Sequence, residues 1–171
     1  MALHLAASYN SPCFQQLLSF PGIDANKPDA ILKWTPLRYA DRMKSWMSMD
    51  ILLQNGARTD GIVLTRHNSE SQEWVQGALW ECASKGHIKL LEFMLNCGIQ
   101  VNGSVDVPEN LHKKFTLLQR ASYCRQIEAV SLIVNRGADI NIHDSNNNNS
   151  TALHLAAASC SVDIIKLLLD K

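Results

Sequence analysis

An all-α fold, built from stacked pairs of short antiparallel helices, is what this sequence predicts, and three regularities predict it. One segment recurs five times, starting at Met1, Thr35, Gly77, Thr116 and Thr151. Two residues into each copy stands a leucine (Leu3, Leu37, Leu79, Leu118, Leu153), and five residues in stands a small side chain (Ala6, Ala40, Cys82, Ala121, Ala156). Twenty-one residues in comes a glycine, at Gly22, Gly56, Gly98 and Gly137; the fifth copy reaches Lys171 one residue short of that position.

Taken in order, the threonine that opens a copy is a natural N-cap, because its hydroxyl can accept from a backbone N–H of the first turn. Pro36 fits directly after Thr35, where its missing N–H has no helical partner in any case. The small residue lets neighbouring helices approach closely. After a tight turn each copy becomes apolar again, at Leu17 and Leu18, Ile51 and Leu52, Phe93 and Met94, Leu132 and Ile133, and Leu167 and Leu168, as a second helix with one buried face requires. The glycine then ends that helix, since it takes a left-handed conformation without side-chain strain.

The segments WTPLRYA (34–40), GALWECASKGH (77–87), NRGADIN (135–141) and TALHLAA (151–157) resemble the signature of the ankyrin repeat, and the resemblance covers nearly the whole chain in one internal register. It implies an ankyrin-repeat solenoid of paired antiparallel helices with β-hairpin or loop fingers, running over 1–171 as one domain. The departures carry expectations of their own. Arg38, Trp80 and Gln119 stand where the family has a histidine that ties adjacent repeats together, so only His4 and His154 are expected to keep that role. Ser48 and Ala129 replace larger apolar side chains, which predicts thin packing in two of the second helices.

Composition narrows the function. The 46% hydrophobic content suffices for a sizeable core, and sixteen basic residues balance sixteen acidic ones, so no net field draws the chain to nucleic acid or to an anionic membrane. Five scattered cysteines without a Cys-x-x-Cys pair fit neither a disulfide framework nor a zinc knot. Free thiols, with no leader or spanning segment in view, suggest a cytoplasmic protein. No phosphate-binding loop, H-E-x-x-H, G-x-S-x-G or calcium-loop motif occurs, and no metal or cofactor is expected. A Cys82–His87 or Cys160–His154 nucleophile and base pair is set aside because Cys82 and His154 hold structural repeat positions, while His87 and Cys160 sit at the turn between paired helices.

The starts lie 34, 42, 39 and 35 residues apart, against about 33 for an ankyrin unit, and the extra residues all fall between a glycine and the next start. In the resembled fold that stretch is the finger beside the first, or inner, helices. The connection 57–76 carries Arg66 and Trp74; 99–115 carries Lys113, Lys114 and Phe115; a run from Asn146 to Asn149 precedes the fifth start. The hairpin base often presents an aromatic to the partner in this family, which points to Trp34 and Phe115. The first-helix positions that the fold turns to its concave groove are Tyr39, Arg42 and Met43, then Glu81, Ser84 and Lys85, then Arg120, Tyr123 and Cys124. Trp80, at a half-buried position, is assigned to packing.

The resemblance therefore implies a non-enzymatic protein-protein interaction module that binds another protein through its concave face and fingers. An alternative makes it the targeting or substrate-recognition part of a larger enzyme or of a secreted bacterial effector, acting then in the host cytosol. Neither end shows the polar face of a capping repeat, so further ankyrin repeats or flanking domains are expected in the parent chain.

Overall fold

Caps and apolar spacing generate ten helices among the described residues of the computed structural model, which are 2–9, 11–62, 69–107, 110–143 and 149–171, with the backbone alone over 69–74, 104–107 and 110–114. The first helices of the five copies are α1 (Ala2–Ser8), α3 (Pro36–Arg42), α5 (Ser69–Lys85), α7 (Leu117–Tyr123) and α9 (Ala152–Ala158). Their second helices are α2 (Phe14–Ser19), α4 (Trp46–Gln54), α6 (Ile88–Asn96), α8 (Ile127–Asn135) and α10 (Val162–Leu169). One finger forms an antiparallel hairpin, β1 (Ser104–Val107) with β2 (Asn110–Thr116), in which Ser104 faces Thr116 and Val105 faces Phe115 before the register shifts beyond Asp106.

The helix ends follow the expected chemistry. Thr35 Oγ1 accepts from the Arg38 N–H at 3.4 Å and Thr116 Oγ1 accepts from the Gln119 N–H at 3.2 Å. At the other end, Gly56, Gly98 and Gly137 take φ of 75°, 88° and 82°. The left-handed turn lets two successive N–H groups bond back into the helix, Gly137 to Val134 O and Ala138 to Ile133 O in one case. The tight turn inside the second to fifth copies also holds a left-handed residue, a glycine at Gly86 and Lys44, Arg125 and Cys160 in the others, with φ of 54°, 62° and 55°.

Contacts group the chain into two compact units, Met1–Ser71 and Gln72–Lys171. In the first, α1 packs on α3, and Phe14, Leu37, Met49 and Leu52 are withdrawn from water around Ala7 and Ala40. In the second, α7 packs on α9 and α6, α8 and α10 follow one another, over a core of Leu90, Leu91, Met94, Leu117, Leu118, Val130, Ile133 and Ile164. The small-residue positions Ala40, Cys82, Ala121 and Ala156 are fully buried. Ser48 and Ala129 are fully buried too, and Ser48 is satisfied by a 2.9 Å bond from the Ser45 hydroxyl.

Two expectations are corrected. The stretch 57–76 was expected to be finger throughout, but its last eight residues belong to α5, which runs from Ser69 through Gly77. Gly77 has no side chain to cap a new start, no proline interrupts 69–76, and Glu70 and Glu73 near the N-terminus suit the helix dipole, which together outweigh the roughly 1 kcal/mol cost of an interior glycine.

The inter-repeat tie is also carried by a different residue. Buried Gln119 accepts from the Thr116 N–H at 2.8 Å and donates to Ile142 O at 3.0 Å and Ser150 O at 2.9 Å, binding α7 to the finger beyond it. An amide does here what the imidazole was expected to do, because it too offers one acceptor and a donor. His4 instead has no hydrogen-bond partner for either ring nitrogen among the described residues and meets the Tyr39 ring edge-on at 5.4 Å. Among the described residues His154 bonds locally, its Nδ1 lying 3.2 Å from the Thr151 N and 2.8 Å from the Thr151 hydroxyl.

Leu52→Ala should destabilise the chain by roughly 2–5 kcal/mol in urea denaturation, the range for emptying a closed core site. Gln119→Ala should cost at least about 2 kcal/mol by leaving a buried N–H and two carbonyls unpaired, with Gln119→His losing less. Equal losses for the two Gln119 variants would mean that the amide network contributes nothing beyond packing.

Candidate functional site

In the first unit the candidate residues gather on α3 and the finger before it. Trp34 is half-buried; its ring meets Tyr39 edge-on at 5.5 Å, and the Arg38 guanidinium lies 4.9 Å over it. Behind them the Asp29 carboxylate, buried, accepts from the N–H groups of Ile31 at 2.7 Å, Leu32 at 2.8 Å and Trp34 at 2.9 Å and from the Tyr39 hydroxyl at 3.3 Å. Burial by itself would raise the Asp29 pKa, but those backbone bonds and the hydroxyl prevail and hold it below its ordinary 3.8. Burial and the charge of Asp29 push the Tyr39 phenol up from its ordinary value. Arg42 and Met43 stand exposed at the end of α3.

In the second unit the candidates on α5 and α7 largely satisfy one another. Lys85 pairs with Glu81 at 2.8 Å across one helical turn. Arg120 lies 3.6 Å over the Trp80 ring and donates to Ser84 Oγ at 2.8 Å, so Trp80 serves as the packing residue expected of it. Tyr123 is 50% exposed. Phe115 requires a correction: it is buried with Leu155, and Trp80 packs against that pair, so it is a core residue of the hairpin base and presents no anchor to a partner. A hairpin base can aim its side chain inward or outward, and the neighbouring Trp80 and Leu155 offer apolar cover.

Arg66 lies outside the described residues. Trp74 is on α5 and Lys113 and Lys114 are on β2, with side chains that lie outside them too. Of the residues in the nucleophile and base pairs considered above, Cys82 is fully buried and the His154 ring bonds to Thr151. Among the exposed apolar side chains that escaped the sequence reading are Leu5 on α1, Tyr9 just after it, and Ile31 and Leu32 at the first finger, with Ile31 77% exposed. Leu5 and Tyr9 share the repeat positions of Tyr39 and Met43, a signal that was available. Two aliphatics in a finger carry no such signal, since they read equally well as hairpin core.

A family model described as ankyrin repeats, in three copies, matches residues 48–144 and again 79–171. The chain belongs to the ankyrin-repeat family. Over 101 residues, 59% of its length, this ankyrin chain is 33% identical to the ankyrin repeat domain-containing protein SAT10 of Stachybotrys chartarum (strain CBS 109288 / IBT 7711), and it spans 5% of that protein's length. Ankyrin repeats are in general protein-protein interaction modules. The all-α ankyrin fold of paired helices with fingers is thus established by both pattern and coordinates. Among the described residues no helix is long and apolar enough to cross a membrane.

The Asp29 clamp should show itself in acid. Because its pKa is lowered on folding, its contribution is complete above pH 3.8 and disappears as pH falls through the folded value. Urea midpoints of wild type and Asp29→Asn should differ at pH 6 and converge as pH drops below 3.8; a gap that stays constant with pH would show that the carboxylate's charge is irrelevant to the clamp.

Proposed function

We propose that this ankyrin array binds a partner protein through the solvent-facing positions of its first helices and through its fingers, without catalysing a reaction. The observation that carries the reading is the contrast between the two sides of those helices. The leucine and small-residue positions are buried, Leu37 and Ala40 on α3 and Leu118 and Ala121 on α7, whereas on the same helices Arg42 is exposed and Met43 and Tyr123 are each half exposed. Large apolar and basic side chains held in water on ordered helices are the raw material of binding anchors.

The positions proposed for binding are Trp34, Tyr39, Arg42 and Met43 in the first unit and Trp74, Glu81, Lys85, Arg120 and Tyr123 in the second, with Arg66, Lys113 and Lys114 of the fingers. Phe115 is left out because it is buried. Membership of a longer polypeptide, as the targeting part of an enzyme or effector, fits the same face, and a cytoplasmic setting fits free thiols at Cys13, Cys82, Cys97, Cys124 and Cys160.

The test is affinity capture with the intact chain, identification of the captured protein, and titration with Arg42→Ala/Lys85→Ala/Tyr123→Ala. All three side chains lie at the surface, so the unfolding midpoint should hold while affinity falls about tenfold or more. Undiminished affinity for that partner would place its binding elsewhere.

A further inference from the structure

Within the first unit, unpaired charge and exposed apolar side chains occur together along the first finger and α3. Asp29 takes up the N–H groups of Ile31, Leu32 and Trp34, which fixes the finger backbone, yet the Ile31 and Leu32 side chains that this backbone carries are 77% and 52% exposed. An ordered loop that presents two aliphatic side chains to water gains nothing for its own fold; it is already in the shape a partner would need, which reduces the ordering entropy of binding. Lys33 follows at φ 58°, then Trp34 with Arg38 stacked on it, then Arg42 one turn further along α3 and Lys44 in the turn beyond.

Among the described residues, the side chains of Lys33, Arg42 and Lys44 have no ion-pair or hydrogen-bond partner. The acidic residues of the same stretch do not neutralise them directly: Asp29 is buried under four donors, and Asp41 is half-buried with a contact of its own. In the second unit the basic candidates Lys85 and Arg120 are engaged, Lys85 by Glu81 and Arg120 by Trp80 and Ser84. Unneutralised cations therefore stand beside exposed apolar side chains at both ends of this stretch: Lys33 next to Leu32 at the finger, and Arg42 and Lys44 on either side of Met43 at the end of α3.

Resting on the reading of the chain as a protein-binding module, we propose that the first finger and α3 dock an acidic segment of another protein. Its apolar side chains cover Ile31, Leu32 and Met43, and its carboxylates meet Lys33, Arg42 and Lys44. Charge complementarity selects the acid, and the aliphatic pair at the finger selects a peptide over a phosphate backbone, which offers no apolar side chains.

The test is selection of a random twelve-residue displayed peptide library on the intact chain, followed by anisotropy titration of the enriched peptides. Enriched sequences should combine Asp or Glu with large apolar residues and bind more weakly as salt rises. Ile31→Ser/Leu32→Ser and, separately, Arg42→Glu should each reduce their affinity about tenfold or more, with thermal melts by circular dichroism unchanged. Peptides that are basic or uncharged, or whose binding ignores both variants but is lost in Lys85→Ala/Tyr123→Ala, overturn the acidic docking site while leaving the protein-binding reading intact. No enrichment, or preferential binding of a single-stranded DNA 20-mer or phosphatidylserine vesicles lost in the same variants, also overturns it. Only an additional failure of the capture experiment above removes the broader reading.

Discussion

Close approach between first helices within each unit, α1 on α3 and α7 on α9, is the constraint on which the rest of the structure depends. It is possible because the fifth residue after each repeat start is alanine or cysteine, and Ala40, Cys82, Ala121 and Ala156 have no exposed surface at all. A larger side chain there would have to displace a backbone, in an interior already packed to the density of an organic crystal. Once the helices are that near, the leucines behind them close a core and the opposite side of each helix is left to solvent. The surface proposed for binding is thus a by-product of how the core is built.

Hydrogen bonds then join what packing brings together. Asn26 donates to Gly56 O at 3.3 Å and accepts from the Arg58 N–H at 2.7 Å, while Asn102 accepts from the Asp139 N–H at 2.9 Å. Gln126 reaches from the turn after α7 to Ser84 O on α5 at 3.1 Å. Each bond links a side chain of one repeat to the backbone of a neighbouring repeat within its own unit. Side-chain amides are well suited to this, because they satisfy backbone groups without bringing in charge that would need a counter-ion.

Most of the helical framework was legible in the sequence because its signals are local and repeated. Thr35 and Thr116 cap the helices they precede, and Gly56, Gly98 and Gly137 end theirs. Where a signal was missing, the boundary moved, as at Gly77, where neither a cap nor a proline stops α5 from starting earlier. Side-chain direction was harder to read. Phe115 turned inward onto Leu155, and Gln119 took a role that family likeness reserved for histidine, because both outcomes depend on neighbours far along the chain. The exposed pair Ile31 and Leu32 was invisible for the same reason: only the bonds to Asp29 fix how that finger is held.

The turns inside the repeats have one more implication. Lys44, Arg125 and Cys160 hold a backbone shape that strains any residue with a β-carbon by about 1 kcal/mol, at a position where Gly86 shows that hydrogen suffices. In exchange, the far end of each of those three first helices bears a functional group, an amine, a guanidinium and a thiol, mounted on a bend too tight to wander. The bends are therefore chemically varied from one repeat to the next, whereas an all-glycine set would leave them uniform and bare.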